Sequence, residues 1–195
     1  MKNYLTISLF LILSSVYGQE KEVIPPKPIP LTFTHLLILD NDIEGKIKYF
    51  RKSDNYNLNG QYKVYETKLN TNTDIVNSYY NTGYKFIGKF HKGYKDGFWK
   101  TTYKNKLVKT ENWNKGFIIG KYRVYDIKGN LLYQTNFGAK GNGKFKDFYY
   151  VTGILKQEGN YENGKKQDKW CEYDKEGKLT KTVIYKDGIE VKDER

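Results

Sequence analysis

One stretch of the sequence decides the fold: residues 153–173, which read GILKQEGNYENGKKQDKWCEY. Short runs of aromatic and β-branched residues alternate there with Gly, Asn and Asp, and apolar residues do not recur at helical spacing. The dipeptide Asn163-Gly164 at its centre is favoured where a hairpin turn requires positive φ. The stretch therefore predicts two short strands joined by a tight turn.

The same pattern recurs along the chain. Four aromatic residues are spaced 23, 23 and 25 positions apart, at Trp99, Tyr122, Phe145 and Trp170. Each follows a turn residue by two positions, at Gly97, Gly120, Gly143 and Asp168. A second aromatic residue ends each repeat, at Trp113, Phe137, Tyr161 and Tyr185. The repetition predicts a tandem array of similar two-strand units.

Stacked hairpins can hold together where a single hairpin cannot, because each covers the apolar face of its neighbour. We therefore expect an all-β fold, an elongated and twisted antiparallel sheet of consecutive β-hairpin repeats. The residues expected to carry this structure are the eight repeat aromatics with Gly97, Gly120, Gly143 and Gly164. Further hairpin turns are expected at Asn59-Gly60, Asp96-Gly97 and Asp187-Gly188.

The spacing Gly-x-aromatic-x-x-aromatic, then Gly-x-Leu, then Gly-x-Tyr-x-x-Gly resembles the bacterial variant of the MORN repeat. Proteins of this kind are often described as YwqK-family antitoxins. The resemblance extends from about Tyr84 to Gly188. It implies a hairpin array, and it is compatible with scaffolds, lipid-contacting modules and antitoxins, so it does not select one function.

The ends of the chain have a different character. Lys2 followed by the apolar run 4–13 predicts a signal peptide over residues 1–18, cleaved before Gln19. The alternatives are a buried N-terminal strand or an uncleaved anchor, but there is no Cys near the cleavage point for a lipoprotein anchor. We expect a secreted, periplasmic or cell-envelope protein with no transmembrane span after cleavage. A charged tail is expected at 191–195.

Between these ends, all four prolines fall within residues 25–30, which predicts a proline-rich linker over 19–30. Residues 31–80 are expected to be degenerate N-terminal β-repeats that cap the repeat array at 81–190. Within the cap, residues 31–39 predict one buried strand, and residues 68–77 predict a loop. The segments 45–50 and 60–65 resemble degenerate copies of the first strand of a repeat.

Residues suited to catalysis are few and widely separated. The chain has His35, His91 and the single Cys171, and none lies in a nucleophile or phosphate-binding motif. We expect no catalytic residues and no cofactor, and we expect Cys171 to be a packed side chain. A glycosidase-like pair of carboxylates is an alternative that the sequence leaves open.

One segment has the spacing of a metal site. Asp40, Asp42 and Glu44, followed by Gly45, match the opening of a calcium loop. The twelfth position is Arg51 instead of a bidentate Glu, and no helical pattern flanks the loop. A turn is therefore favoured over a metal site.

The formal net charge is +12, which suits an anionic partner. The cations are dispersed along the sequence without a basic block, and codon composition is an alternative explanation for the many lysines. Aromatic residues beside lysines suit an anionic or carbohydrate surface polymer. An anionic membrane surface is a further candidate partner, whereas nucleic acid is not expected.

These features favour an exported, non-enzymatic repeat protein that acts as a scaffold for protein interaction or for binding a surface polymer. The first alternative is an antitoxin or immunity-type protein that neutralises a partner toxin, as the resemblance implies. The second is a polysaccharide-active enzyme. The sequence leaves open the partner, the oligomeric state and which face of the sheet binds.

Overall fold

A computed structural model describes residues 27–39, 42–69 and 79–191. The predicted signal peptide, most of the predicted linker and the tail beyond Val191 lie outside the described residues. Among the described residues, no helix is long and apolar enough to cross a bilayer.

The described residues form strands joined by turns and one 3-10 turn at Phe33–His35. The strands are β1 (Ile29–Thr32), β2 (Leu36–Leu39), β3 (Lys48–Arg51), β4 (Tyr56–Asn57), β5 (Gly60–Leu69), β6 (Tyr79–His91), β7 (Tyr94–Tyr103), β8 (Lys106–Asn114), β9 (Phe117–Tyr125), β10 (Leu131–Asn136), β11 (Gly143–Phe148), β12 (Leu155–Glu162), β13 (Lys165–Tyr173), β14 (Leu179–Lys186) and β15 (Ile189–Val191). The predicted all-β class is confirmed.

The strands are arranged in three sheets. A seven-stranded sheet has the order β1-β5-β6-β7-β8-β9-β10, a five-stranded sheet runs from β11 to β15, and β2, β3 and β4 form a small third sheet. From β5 to β10 and from β11 to β15, neighbouring strands are consecutive and antiparallel, as predicted for hairpin repeats.

The array divides between β10 and β11, where Phe145 follows Phe137 by eight positions, instead of the nine by which Tyr122 follows Trp113. Phe137 N donates to Gly120 O and Gly120 N donates to Gly138 O, each at 2.8 Å. The chain after β10 therefore bonds to a glycine of β9 and turns away instead of adding a neighbouring strand. The result is two successive sheets that share one core.

Tight turns lie where the repeat places them. Asn163-Gly164 and Asp187-Gly188 have positive φ at both residues, as the tightest hairpin turns require. Asp96-Gly97 is different, since it lies inside β7, where Gly97 adopts φ +69° beside an irregularity in the ladder. Asn59-Gly60 leads into β5, so the prediction of a hairpin turn at these two dipeptides was wrong.

A second recurring element is a five-residue loop that begins with aspartate. In each copy, one carboxylate oxygen of the aspartate accepts hydrogen bonds from two backbone N–H groups, and the fourth residue is a glycine with positive φ. The copies begin at Asp42, Asp126 and Asp174. The latter two connect the first strand of a repeat to the second, so segment 45–50 corresponds to a second strand and not to the first.

The predicted single strand over residues 31–39 was wrong. The chain enters β1 at Ile29, inside the expected linker, and pairs in parallel with β5. It then turns at Phe33–His35 and continues as β2, where Leu37, Ile38 and Leu39 are 41–47% exposed. Pairing with β5, which is distant in sequence, determines this path. The predicted loop begins later than expected, because Lys68 and Leu69 belong to β5 and residues 70–77 lie outside the described residues.

Two tryptophans anchor the core in the same way, 71 positions apart. Trp99 and Trp170 are each 2% exposed, and each indole covers a glycine on the preceding strand. A Cβ at Gly88 or Gly159 would lie 2.2 or 2.3 Å from the ring that covers it. Each indole Nε1 also donates to the carbonyl oxygen of the residue after that glycine, at 3.1 Å.

The loop at Gly45 is in contact with the last hairpin turn of the described residues, Asp187-Gly188. Gly45 packs directly on the backbone of Asp187-Gly188, so that a Cβ at Gly45 would lie 2.0 Å from Asp187 O. A Cβ at Gly188 would lie 2.2 Å from Gly45 O. The small sheet of β2, β3 and β4 is therefore connected to the C-terminal hairpin by a contact between two glycines.

This contact can be tested with Gly45→Ala. We expect the substitution to lower the free energy of unfolding by about 1–3 kcal/mol more than Gly129→Ala does, because a buried overlap must be relieved. Gly129 occupies the same position of an equivalent loop, also at positive φ, but a Cβ there meets no atom within 4 Å. Equal losses in urea denaturation of the two variants would show that the contact contributes nothing.

Candidate functional site

The residues considered for catalysis lie on separate elements. His35 ends the 3-10 turn, where its Nδ1 lies 2.7 Å from Thr32 Oγ1. His91 ends β6, and Cys171 is buried in β13 opposite Glu158 and Thr182. Over the described residues, no cluster of three or more His, Cys, Asp or Glu side chains is arranged to hold a metal ion.

The candidate calcium ligands form part of a turn. Asp42 Oδ1 accepts hydrogen bonds from the backbone N–H groups of Glu44 and Lys46, each at 2.9 Å, and its Oδ2 accepts one from Tyr94. Burial would raise the pKa of Asp42, but these hydrogen bonds lower it overall. Glu44 pairs with Lys46, and Asp40 lies outside the described residues. Because two other loops of this chain have the same bonding, the segment is explained as a turn.

The most distinctive surface is the outer face of the seven-stranded sheet. Residues that lie directly opposite each other on neighbouring strands point to the same face of the sheet. One row of such residues points outward and crosses six strands. The row runs from β5 to β10 through Lys63, Ile87, Lys100, Thr110, Arg123 and Gln134. These positions alternate along the strands with buried side chains such as Val64, Trp99 and Tyr122.

Adjacent outward positions add further cations. We define the basic face by its cationic side chains: Lys63, Lys85, Lys89, Lys100, Lys121 and Arg123. In the outward rows of the described ladder, the one carboxylate is that of Asp96, 3.7 Å from Lys89 Nζ. Within the described residues, the side chains of Lys63, Lys100 and Arg123 make no hydrogen bond or ion pair. These charges are therefore available to a ligand.

The basic face contains a shallow depression. It has a volume of about 320 Å³ and lies between Lys89 and Lys100. Gly97 lines it, and a Cβ at this position would meet no atom within 4 Å. Phe98 lines the depression and is 58% exposed, so an aromatic ring is available beside the cations.

The five-stranded sheet presents a different surface. Some of its cations form ion pairs, since Lys146 Nζ lies 3.3 Å from Glu158 Oε2. The hydroxyl of Tyr173 donates to Glu158 Oε1 at 2.8 Å, which helps to lower the pKa of Glu158. A groove of about 530 Å³ on this sheet has mixed charge, with carboxylates including Glu172 in the same lining as Lys156. Around Glu158 three lysines line a second groove beside this one carboxylate, so the excess of cations there is two, against five on the basic face.

Two carboxylates among the described residues are turned inward, those of Glu111 and Asp147. We define the buried ionic cluster as Lys95, Lys109, Glu111 and Asp147, whose side chains are 6–16% exposed. Lys95 and Lys109 lie 3.1 and 3.7 Å from Glu111, and Lys109 also lies 3.1 Å from Asp147. The hydroxyl of Tyr150 donates to Asp147 at 3.0 Å. Because Lys109 belongs to β8 and Asp147 to β11, the cluster connects the two large sheets.

Two members of the cluster, Glu111 and Lys109, are favoured in their charged forms. Burial would raise the pKa of Glu111, but the charges of Lys95 and Lys109 outweigh burial and lower it to about 2. Burial would lower the pKa of Lys109, but Asp147 and its neighbours raise it well above its usual value. The pKa of Lys95 is lowered, mainly by burial. A buried network whose charges are paired within it makes the surrounding core more rigid.

The repeat residues named from the sequence lie under the basic face or in the adjoining core. Trp99, Tyr122, Phe137, Phe145, Trp170 and Tyr185 are buried, and Trp113 and Tyr161 are partly buried against them. Gly97 lines the depression of the basic face. Gly120 and Gly143 have positive φ within or at the start of strands, and Gly164 completes a hairpin turn. They form the scaffold that presents the cations.

The sequence did not single out the basic face. Its cations are separated by 2 to 22 positions in sequence, so no basic block exists. Alternation along each strand sends every second side chain to one face, and the strand register then brings distant lysines side by side. A search for cations at alternate positions of consecutive predicted strands could have found it.

Comparison with known proteins gives little guidance. No family model and no curated protein matches the chain. Among solved structures, it is similar to TarM at a TM-score of 0.22, with 12% identity over 67% of this chain and 21% of that one. A TarM mutant of S. aureus in complex with fondaparinux, α-GlcNAc-glycerol and UDP gives a TM-score of 0.22 and 13% identity over 69% and 21% of the two chains. The chain thus spans about a fifth of the length of these structures, and such low TM-scores do not establish a shared fold.

Proposed function

We propose that this chain is an exported, non-enzymatic binding module whose basic face holds an anionic polymer of the cell surface. The single observation that carries the proposal is the charge of that face, where six cations accompany one carboxylate. The MORN-type resemblance and the predicted signal peptide support a binding role outside the cytoplasm.

The electrostatics favour an extended partner. The three cations of the central row lie on β5, β7 and β9, so a ligand must cross at least five strands to contact all of them. With strands about 4.8 Å apart, this is a distance of about 20 Å. A small anion could neutralise only one of these cations at a time. A polymer could contact all three and displace their counterions together.

The proposal can be tested by comparing two triple variants. The first, Lys63→Gln with Lys100→Gln and Arg123→Gln, removes the central row of cations. The matched control, Lys144→Gln with Lys156→Gln and Lys169→Gln, removes three exposed cations from the five-stranded sheet. Both variants lose the same net charge, so any difference in binding reports where the charge lies.

Binding of polygalacturonate and poly(glycerol phosphate) would be measured by calorimetry at low and high salt. We expect the first variant to bind either polymer about tenfold more weakly or worse, and the control to change about threefold or less. Binding of the unmodified protein should fall as salt rises, since the charges are exposed. Equal losses in the two variants, or no binding at low salt, would overturn the proposal.

A further inference from the structure

The central row of the basic face has a regular alternation of side-chain chemistry. Cations stand on every second strand, Lys63 on β5, Lys100 on β7 and Arg123 on β9. The intervening strands β6, β8 and β10 place the uncharged Ile87, Thr110 and Gln134 in the same row. The alternation follows from the repeat itself, because each repeat contributes two strands.

The separation of the strands sets the distance between successive cations of the row. Neighbouring strands are about 4.8 Å apart, so the cations recur about every 10 Å. Duplex DNA carries one negative charge for about every 1.7 Å of its axis, which is far denser than this row. A ligand matched to the row has sparse charges, with an uncharged unit between each pair of them.

A linear polysaccharide with alternating acidic and neutral sugars has this character, since two sugar units are about as long as two strand spacings. Its carboxylates would meet the cations, and its neutral sugars would lie over Ile87, Thr110 and Gln134. Those side chains offer an apolar surface, a hydroxyl and an amide, which suit an uncharged sugar ring. The depression beside Phe98 offers an aromatic face to a ring next to Lys100.

We propose that the ligand of the basic face is a linear acidic polysaccharide with one carboxylate per disaccharide, lying across the strands. This inference rests on the proposed function of the same face and adds the charge spacing of its partner. A polymer with a carboxylate on every sugar would place every second charge against an uncharged residue, where it gains no ion pair.

The test compares oligosaccharides of defined length. Alternating glucuronate and N-acetylglucosamine oligomers would be compared with oligogalacturonates that carry the same number of carboxylates. For the alternating oligomers we expect affinity to rise steeply up to the hexasaccharide, which has three carboxylates, and to change little beyond the octasaccharide. The galacturonate trimer should bind at least fivefold more weakly than that hexasaccharide, because it spans only half of the row.

A gain-of-function variant separates spacing from total charge. Thr110→Lys places a cation between Lys100 and Arg123, so it should raise affinity for the oligogalacturonates more than for the alternating oligomers. If affinity follows only the number of carboxylates in all proteins tested, the spacing inference fails and the proposed function survives. If removing Lys63, Lys100 and Arg123 together changes neither series, the proposed function itself fails. Tighter binding of duplex DNA than of either series would also overturn the spacing inference.

Discussion

Replacing Trp170 by alanine is expected to lower the free energy of unfolding by about 3–5 kcal/mol, the usual cost of removing a large buried aromatic side chain. The indole is 2% exposed and is in contact with Phe145 and Tyr161, with ring centroids 5.2 Å apart in both cases. Gly159 has no side chain that could fill the space left behind. Urea denaturation followed by circular dichroism would measure the change.

The equivalent Trp99→Ala should have a similar effect in the other large sheet, because its indole covers Gly88 in the same way. Phe98→Ala is the control, since this neighbouring ring is 58% exposed. We expect the control to change the free energy of unfolding by less than about 1 kcal/mol. If both tryptophan variants were as stable as the control, the repeat aromatics would not be the core of the fold.

Glu111→Gln is expected to have the second large effect, a loss of about 3–5 kcal/mol. The substitution leaves Lys95 and Lys109 buried with only the carboxylate of Asp147 to balance them. The control is Lys146→Gln, which breaks the half-exposed pair with Glu158 and should cost about 0–1 kcal/mol. Equal stability of the two variants would contradict a structural role for the buried ionic cluster.

The same carboxylate predicts a pH dependence. Its pKa is lowered from 4.5 to about 2 in the folded protein, so the unfolded chain binds a proton first as the pH falls. The stabilisation by Glu111 is therefore complete above pH 4.5 and is lost between pH 4.5 and about 2. The free energy of unfolding of Glu111→Gln should fall less over this interval than that of the unmodified protein. Parallel curves for the two proteins would contradict the assigned ionisation.

The sequence predicted most of the fold because the repeat is a local pattern. Aromatic residues two positions after Gly97 and Asp168 indicated where each strand turns its large ring inward, and both turn residues have positive φ. Asn163-Gly164 specified a hairpin turn from two residues alone. These features depend on short stretches of chain, so they can be inferred without knowing the tertiary structure.

Features that depend on distant contacts were not predicted. The strand predicted over residues 31–39 is interrupted after Thr32, because β1 pairs in parallel with β5. No local sequence pattern specifies that pairing. Asp96-Gly97 has the composition of a hairpin turn, but the strand continues through it, and the turn lies instead at Lys92-Gly93. Tertiary pairing overrides the turn preference of the dipeptide there.

The candidate site was the least predictable part of the molecule, because a face is a property of strand register. Irregularities next to Gly88 and Glu111 shift the register between strands, so the alternation of one strand does not fix that of the next. Glu111 also shows why the net charge of the chain does not predict the charge of one face. Its carboxylate is buried beside Lys95 and Lys109, so none of these three charges contributes to the outer surface.

The central claim, that the basic face binds an anionic polymer, is tested most directly by acetylating lysines with and without bound polymer. Mass spectrometry would give the rate at each lysine. We expect polygalacturonate to slow acetylation of Lys63 and Lys100 severalfold and to leave acetylation of Lys144 and Lys169 on the five-stranded sheet unchanged. Protection of Lys144 and Lys169 without protection of Lys63 and Lys100 would contradict it.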